Sequence, residues 1–109
     1  MLNFNGSPFC YWRPETVISF IQRQVIVHSY IYYVLDNNII TDREYDIMCK
    51  DLVKRQQRAH TDTLRATDYY YIMYDFDGHT GFDLHSRLNA RDKAKIERIA
   101  RTVLYATKI

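Results

Sequence analysis

The sequence predicts a mainly α domain: a helical hairpin over about 14–36 and 42–58, a C-terminal helix over about 90–107, and a Tyr-rich short helix or hairpin between them. Three observations predict it. Apolar residues recur at helical spacing in three stretches, none of those stretches alternates as a half-buried strand does, and only three Gly and two Pro interrupt 109 residues. A chain of this length is expected to form a single domain over residues 1–109, with a core that needs neither disulfides nor a metal.

Residues 1–12 show no periodicity and are expected to form an arm ending at Trp12. Pro14 suits a first helical position, where its missing N–H would have no partner anyway, and Glu15 suits the positive end of the helix dipole. Val17, Ile21, Val25, His28, Tyr32 and Leu35 follow at steps of three and four, on one stripe. Asp36, Asn37 and Asn38 stop this helix.

The second helix announces itself through Thr41-Asp42-Arg43-Glu44. The Thr41 hydroxyl can accept from the third helical N–H while the Glu44 carboxylate reaches back to the cap, and Ile40 and Tyr45 are placed for a hydrophobic staple. Tyr45, Met48 and Leu52 point inward, and the helix becomes wholly polar through 54–58. The run Tyr69–Met73 is apolar without alternation, so strand and short helix both remain open. Residues 75–81 read as a turn containing Gly78 and Gly81. Asn89 is a fair N-cap for the last helix, whose Ile96, Ile99, Val103 and Ala106 share a face.

Composition is globular, with 47% hydrophobic and 26% charged residues, which excludes a disordered tail, a collagen-like rod and a coiled coil. Ten Tyr and five Phe make it rich in rings. Residues 61–85 carry five Asp against Arg65, a net of −4, and residues 86–109 carry seven Lys/Arg against Asp92 and Glu97, a net of +5. The two segments can satisfy each other by folding face to face. Cys10 and Cys49 are too few for a disulfide framework and read as reduced thiols of a cytoplasmic protein. The first twelve residues lack signal-peptide features, and the apolar stretch 25–35 is interrupted by His28 and Ser29, so no membrane partner is expected.

The stretch from His28 to Asp46 carries the most specific pattern: His28, the aromatic pair Tyr32 and Tyr33, Asp36, Ile40, then Asp42, Glu44, Tyr45 and Asp46. It resembles the small N-terminal nicotinamide-mononucleotide-binding (Ia) domain of NAD-dependent DNA ligases, with nine matching positions over nineteen residues and an overall reach of about residues 20–57. The resemblance implies a ligand: the nicotinamide mononucleotide half of NAD, or an NAD-derived or ADP-ribose-type nucleotide. It implies that Tyr32 and Tyr33 contact the nicotinamide and that Asp42, Tyr45 and Asp46 hold the ribose and phosphate region, with His28 in the same set. The chemistry is sensible by itself. A tyrosine face attracts a flat cationic ring by about 0.5–2 kcal/mol. An ionised carboxylate suits the donors of a ribose diol. Asp42, Tyr45 and Asp46 at i, i+3 and i+4 share one helix face.

The departures set the limit of the expectation. Asn38 stands where the family has a turn proline, and no Lys-x-Asp-Gly nucleotidyltransferase motif occurs anywhere in the sequence. The expected role is therefore binding without catalysis and without a resident cofactor. The competing reading is a helical hairpin kept for packing, in an interaction protein that acts on a host defence or regulatory protein in the manner of small phage-encoded inhibitors, in the host cytoplasm.

Other signals are weaker. Asp75 and Asp77 have the Asp-x-Asp spacing of haloacid-dehalogenase-type phosphatases but lack the parallel sheet behind it, and Gly78 comes too early for an EF-hand loop. Both aspartates are expected to turn the backbone, with the segment through Gly81 and Phe82 near the Tyr pair. Arg87, Arg91, Lys95 and Arg98 form a basic stripe that phosphate oxygens, including those of nucleic acid, would favour, although charge on the solvated face of a surface helix is the commoner explanation. No His or Cys pair has zinc-site spacing.

Overall fold

A computed structural model describes residues 12–79 and 81–108. The expectations for the N-terminal arm and Cys10 lie outside the described residues. The elements are α1 (Pro14–Tyr33), α2 (Asp42–Arg58), α3 (Thr61–Arg65), α4 (Tyr70–Met73), a 3-10 turn (His85–Arg87) and α5 (Ala90–Lys108), and no strand occurs among the described residues. The mainly α expectation holds, and the Tyr-rich run resolves to a short helix.

The central element is α1, which packs against α2 and α5. Pro14 opens it, and the Arg13 carbonyl accepts from the Thr16 and Val17 amides at 2.9 and 3.1 Å. Its middle is buried on all sides, with Val25, Ile26 and Val27 at 0–1% exposure, so the single apolar stripe understates its burial. The N-terminal half of that stripe (Val17, Ile21, Val25) lies in the core. Its C-terminal half leaves the core, with His28 half-buried and Tyr32 exposed. The helix ends at Tyr33 rather than 36. Asp36 takes a left-handed φ of 51°, which Asp tolerates better than most residues, and the Asn37 amide donates back to the Ile31 carbonyl at 3.0 Å.

The capping box at α2 forms as the sequence predicts: Glu44 N–H donates to Thr41 Oγ1 at 3.0 Å, and Thr41 N–H donates to Glu44 Oε1 at 2.8 Å. The second backbone bond, together with the Thr41 side chain, holds the Glu44 carboxyl below its usual range. Within the wholly polar stretch 54–58, Gln56 is buried. Its Oε1 accepts from Gln22 Nε2 at 2.9 Å and its Nε2 donates to the Met73 carbonyl at 3.0 Å. Gln22 also donates to Thr67 Oγ1 at 3.0 Å and accepts from the Tyr69 amide at 3.1 Å. This buried polar network ties α1 and α2 to the segment between α3 and α4. Within α4 and its flanks, Tyr69, Ile72 and Met73 are buried at helical spacing, while Tyr74 faces out.

Asn89 caps α5 by accepting from the Asp92 amide at 2.8 Å. The buried face runs through Asp92, Ile96 and Ala100, with Ile99 and Val103 at its margin, whereas Ala106 is exposed and does not belong to it. Asp92 is not left bare: Tyr71 Oη donates to its carboxylate at 2.6 Å. Arg87 sits in the 3-10 turn before α5, not on the helix, and pairs with Asp75 at 3.1 Å. That pair is one realised contact between the acidic and basic segments. Arg91, Lys95 and Arg98 share α5, with no carboxylate in ion-pair range among the described residues. No helix among the described residues is long and apolar enough to cross a membrane.

Candidate functional site

Where α1 ends and α2 begins, the connection between them bounds a cavity of about 360 Å³. Its α1 side is His28, Tyr32 and Tyr33; its floor is the connection Asn38, Ile39, Ile40 and Thr41; its α2 side is Asp42, Tyr45 and Asp46. All six residues singled out in the sequence therefore face one space. The local reasons are the two helix termini. The left-handed Asp36 turns the chain out of α1, and the capping box fixes where α2 starts, so the i, i+3 and i+4 positions of α2 meet the end of the α1 stripe.

The aromatic wall is a chain of three rings. Tyr32 and Tyr33 meet edge to face, with centroids 4.8 Å apart and planes at 87°, and Tyr33 meets Phe82 at 6.4 Å and 72°. Both tyrosines are about half exposed, so an aromatic or cationic guest can reach their surfaces. Tyr45 is different. Its hydroxyl lies 2.6 Å from Ser29 Oγ, and Ser29 in turn donates to the Val25 carbonyl at 2.7 Å. Donation by Ser29 to Val25 leaves Tyr45 as the donor of the shorter bond, so the Tyr45 hydroxyl is spoken for within the protein. Burial pushes its pKa up and keeps it neutral. Beneath it Cys49 is fully buried, and burial pushes its thiol up to about 11, well away from a reactive thiolate.

The charged groups differ in availability. Asp46 pairs with Lys50 at 2.7 Å on the exposed face of α2, a contact of small net strength that exchanges readily. Asp42, at the first position of α2, has no ion-pair partner among the described residues. Burial lowers the pKa of His28, so its imidazole is neutral at pH 7, with one nitrogen donating and the other accepting. Among the described residues, no Lys or Arg lines the cavity.

The site reading of the sequence lacks the connection residues Asn38, Ile39, Ile40 and Thr41, and also His79, from the turn after α4. The Asp77 carboxylate turns the backbone there by accepting from the His79 amide at 2.9 Å, and Gly78 takes a φ of 87°. Gly81 then makes the closest approach in the site. A methyl group built on it would collide with Ser29 Oγ and stand 2.5 Å from Tyr45 Oη and 2.9 Å from Leu84 Cδ1. The signal present in the sequence was the Asp-x-Asp-Gly turn, and the expected nearness of Phe82 to the Tyr pair is met. A wider groove of about 500 Å³ runs between Pro14, Val17 and Ile18 of α1 and Lys54 and Arg58 of α2, and it carries none of the six residues.

Comparison with known proteins places this geometry. Residues 13–66 match the family described as DNA ligase-like, N-terminal NAD+-binding domain. A DNA ligase from Dehalococcoides mccartyi (strain ATCC BAA-2266 / KCTC 15142 / 195) is 38% identical over 53 residues, which is 49% of this chain and 8% of that ligase. The chain thus matches only a small part of that relative's length. No solved structure matches. The matched span begins just before α1 and ends just after α3, and it contains every residue of the cavity except His79. Just under half of the chain, residues 13–66, is thus similar to the DNA ligase-like N-terminal NAD+-binding domain family.

Proposed function

We propose that this protein binds the nicotinamide mononucleotide moiety of NAD, or free nicotinamide mononucleotide, in the cavity between α1 and α2, and does not transform it. The observation that carries this reading is the convergence of His28, Tyr32, Tyr33, Asp42, Tyr45 and Asp46 on one space of about 360 Å³. That volume lies at the low end of the roughly 300–1,000 Å³ typical of small-molecule sites, suited to a mononucleotide rather than a whole dinucleotide.

Charge favours the nicotinamide half over the adenylate half. Two carboxylates and, among the described residues, no Lys or Arg line the cavity, which suits an oxidised, cationic pyridinium ring. Tyr32 and Tyr33 offer that ring cation–π contact. Asp42, free of an ion pair, is the acceptor for ribose hydroxyls, and Asp46 joins it when Lys50 lets go. Neutral His28 contributes one donor and one acceptor. Tyr45, its hydroxyl held by Ser29, packs rather than donates. The reading stops at binding because the matched region is described as an NAD+-binding domain.

Thermal unfolding with about 1 mM each of NAD, nicotinamide mononucleotide, ADP-ribose and AMP tests it. Saturation at about 100 times the dissociation constant adds about 2.7 kcal/mol. The expected result is a rise in Tm with NAD and nicotinamide mononucleotide and none with AMP. No shift with any of the four refutes it.

A further inference from the structure

The segment that carries Gly81 to Leu84 lies outside the ligase-like span, yet it leans on the aromatic wall of the cavity. Its placement is tightly determined. Gly81 and Leu84 are both buried, the Leu84 amide donates to the Gly81 carbonyl at 3.1 Å, and Gly81 sits against the Ser29–Tyr45 pair with no room for a Cβ. The backbone is therefore held on both sides of Phe82, while the Phe82 ring itself is 64% exposed. So exposed a ring adds little to the core, because burial stabilises in proportion to the apolar area removed from water.

What Phe82 does meet is Tyr33, with centroids 6.4 Å apart and planes at 72°, an edge-to-face geometry within the range that aromatic pairs prefer. Tyr33 is the last residue of α1, half exposed, and it lines the cavity, whereas Phe82 does not. A half-exposed ring at a helix end keeps its rotamer through the neighbours it meets, and Phe82 is a neighbour mounted on a fixed turn. With Tyr32 it gives Tyr33 two ring contacts, one from its own helix and one from a distant part of the chain. We infer that Phe82 is a positioning residue of the binding site: its ring holds the Tyr33 ring in the orientation that a bound nicotinamide meets. This inference rests on the proposed nucleotide binding and adds to it a residue from outside the matched span.

Calorimetric titration with nicotinamide mononucleotide of the wild type, Phe82→Ala, Phe82→Tyr, Tyr33→Ala and the Phe82→Ala, Tyr33→Ala double variant tests it. Phe82→Ala is expected to weaken binding about two- to tenfold, the range that one aromatic pair contributes. Its Tm should stay within about 4 °C of the wild type, as for a surface substitution. Phe82→Tyr, which keeps the ring, should bind as the wild type does. Once Tyr33 is gone the Phe82 ring has nothing to position, so the double variant should bind within about twofold of Tyr33→Ala. Unchanged binding by Phe82→Ala, an equal loss in Phe82→Tyr, or a full further loss in the double variant overturns the inference and leaves the proposed function standing; where Tyr33→Ala leaves no measurable binding, Phe82→Ala and Phe82→Tyr decide by themselves. A wild type that does not bind removes the proposed function itself, and this inference with it.

Discussion

Gly81→Ala probes the contact on which the shape of the cavity depends. The added methyl meets Ser29 Oγ, Tyr45 Oη and Leu84 Cδ1, all nearer than 3.0 Å, where a real side chain essentially never sits. Ser29 cannot retreat cheaply, because its hydroxyl is held at 2.7 Å by the Val25 carbonyl of a fully buried helix turn. Either the turn carrying His79 moves outward or the Ser29–Tyr45 bond breaks. Overpacking costs about 1–3 kcal/mol. Losing the buried hydrogen bond adds about 1 kcal/mol, for a total of about 2–4 kcal/mol. For a domain of this size each kcal/mol lowers Tm by about 4–8 °C, so thermal unfolding should show a fall of about 8 °C at the least. Adding Ser29→Ala removes one of the colliding atoms. The double variant should then be more stable than the sum of the two single losses, with a coupling of about 0.5–3 kcal/mol. A Gly81→Ala protein that melts with the wild type, or strictly additive losses, would refute the packing described for this turn.

Two further perturbations test the frame and its charge states. Gln22→Leu strands the Tyr69 amide and Gln56 Oε1 in the core, and at about 1–3 kcal/mol for each orphaned group it should cost at least about 2 kcal/mol in denaturant unfolding; a smaller loss would mean the network contributes little. Burial, and then the hydrogen bond to Asp92, push the Tyr71 phenol up to about 12 from an ordinary 10.0. Because the folded value is the higher one, the stability linked to it is complete below pH 10 and is lost as pH rises toward 12. An ultraviolet titration of the tyrosines should therefore lose a phase near pH 12 in Tyr71→Phe, with Tyr45 still titrating above it, and an unaltered profile would contradict the assignment.

The parts of the fold legible in the sequence are those set by local chemistry. Pro14, the Thr41–Glu44 box and Asn89 each mark a helix start through bonds made within one turn, and all three starts are where the residues put them. The end of α1 was harder to place, because an apolar stripe continues to Leu35 while the backbone is already turned by the left-handed Asp36. The Tyr69–Met73 run was ambiguous because a tyrosine has an apolar body and a polar tip. Tyr69 is buried while Tyr71 is partly exposed with its hydroxyl on Asp92, and only the partner on α5 decides which is which. The burial of Gln56 in a polar stretch is not legible locally, since its partner, Gln22, is 34 residues away. The same distinction governs the site. The α1–α2 half was visible as a spaced pattern, and the segment of Gly81 and Phe82 was expected beside the Tyr pair, whereas His79 joins the wall through a long-range turn that no spacing records.

Titration calorimetry of the wild type with nicotinamide mononucleotide and with AMP, beside Tyr32→Ala, tests the central claim most directly. The account predicts saturable binding of one nicotinamide mononucleotide per chain, no binding of AMP, and weakening by at least about 1 kcal/mol when the half-exposed Tyr32 ring is removed. Equal binding of AMP and nicotinamide mononucleotide, or a Tyr32→Ala protein that binds as the wild type does, would contradict it.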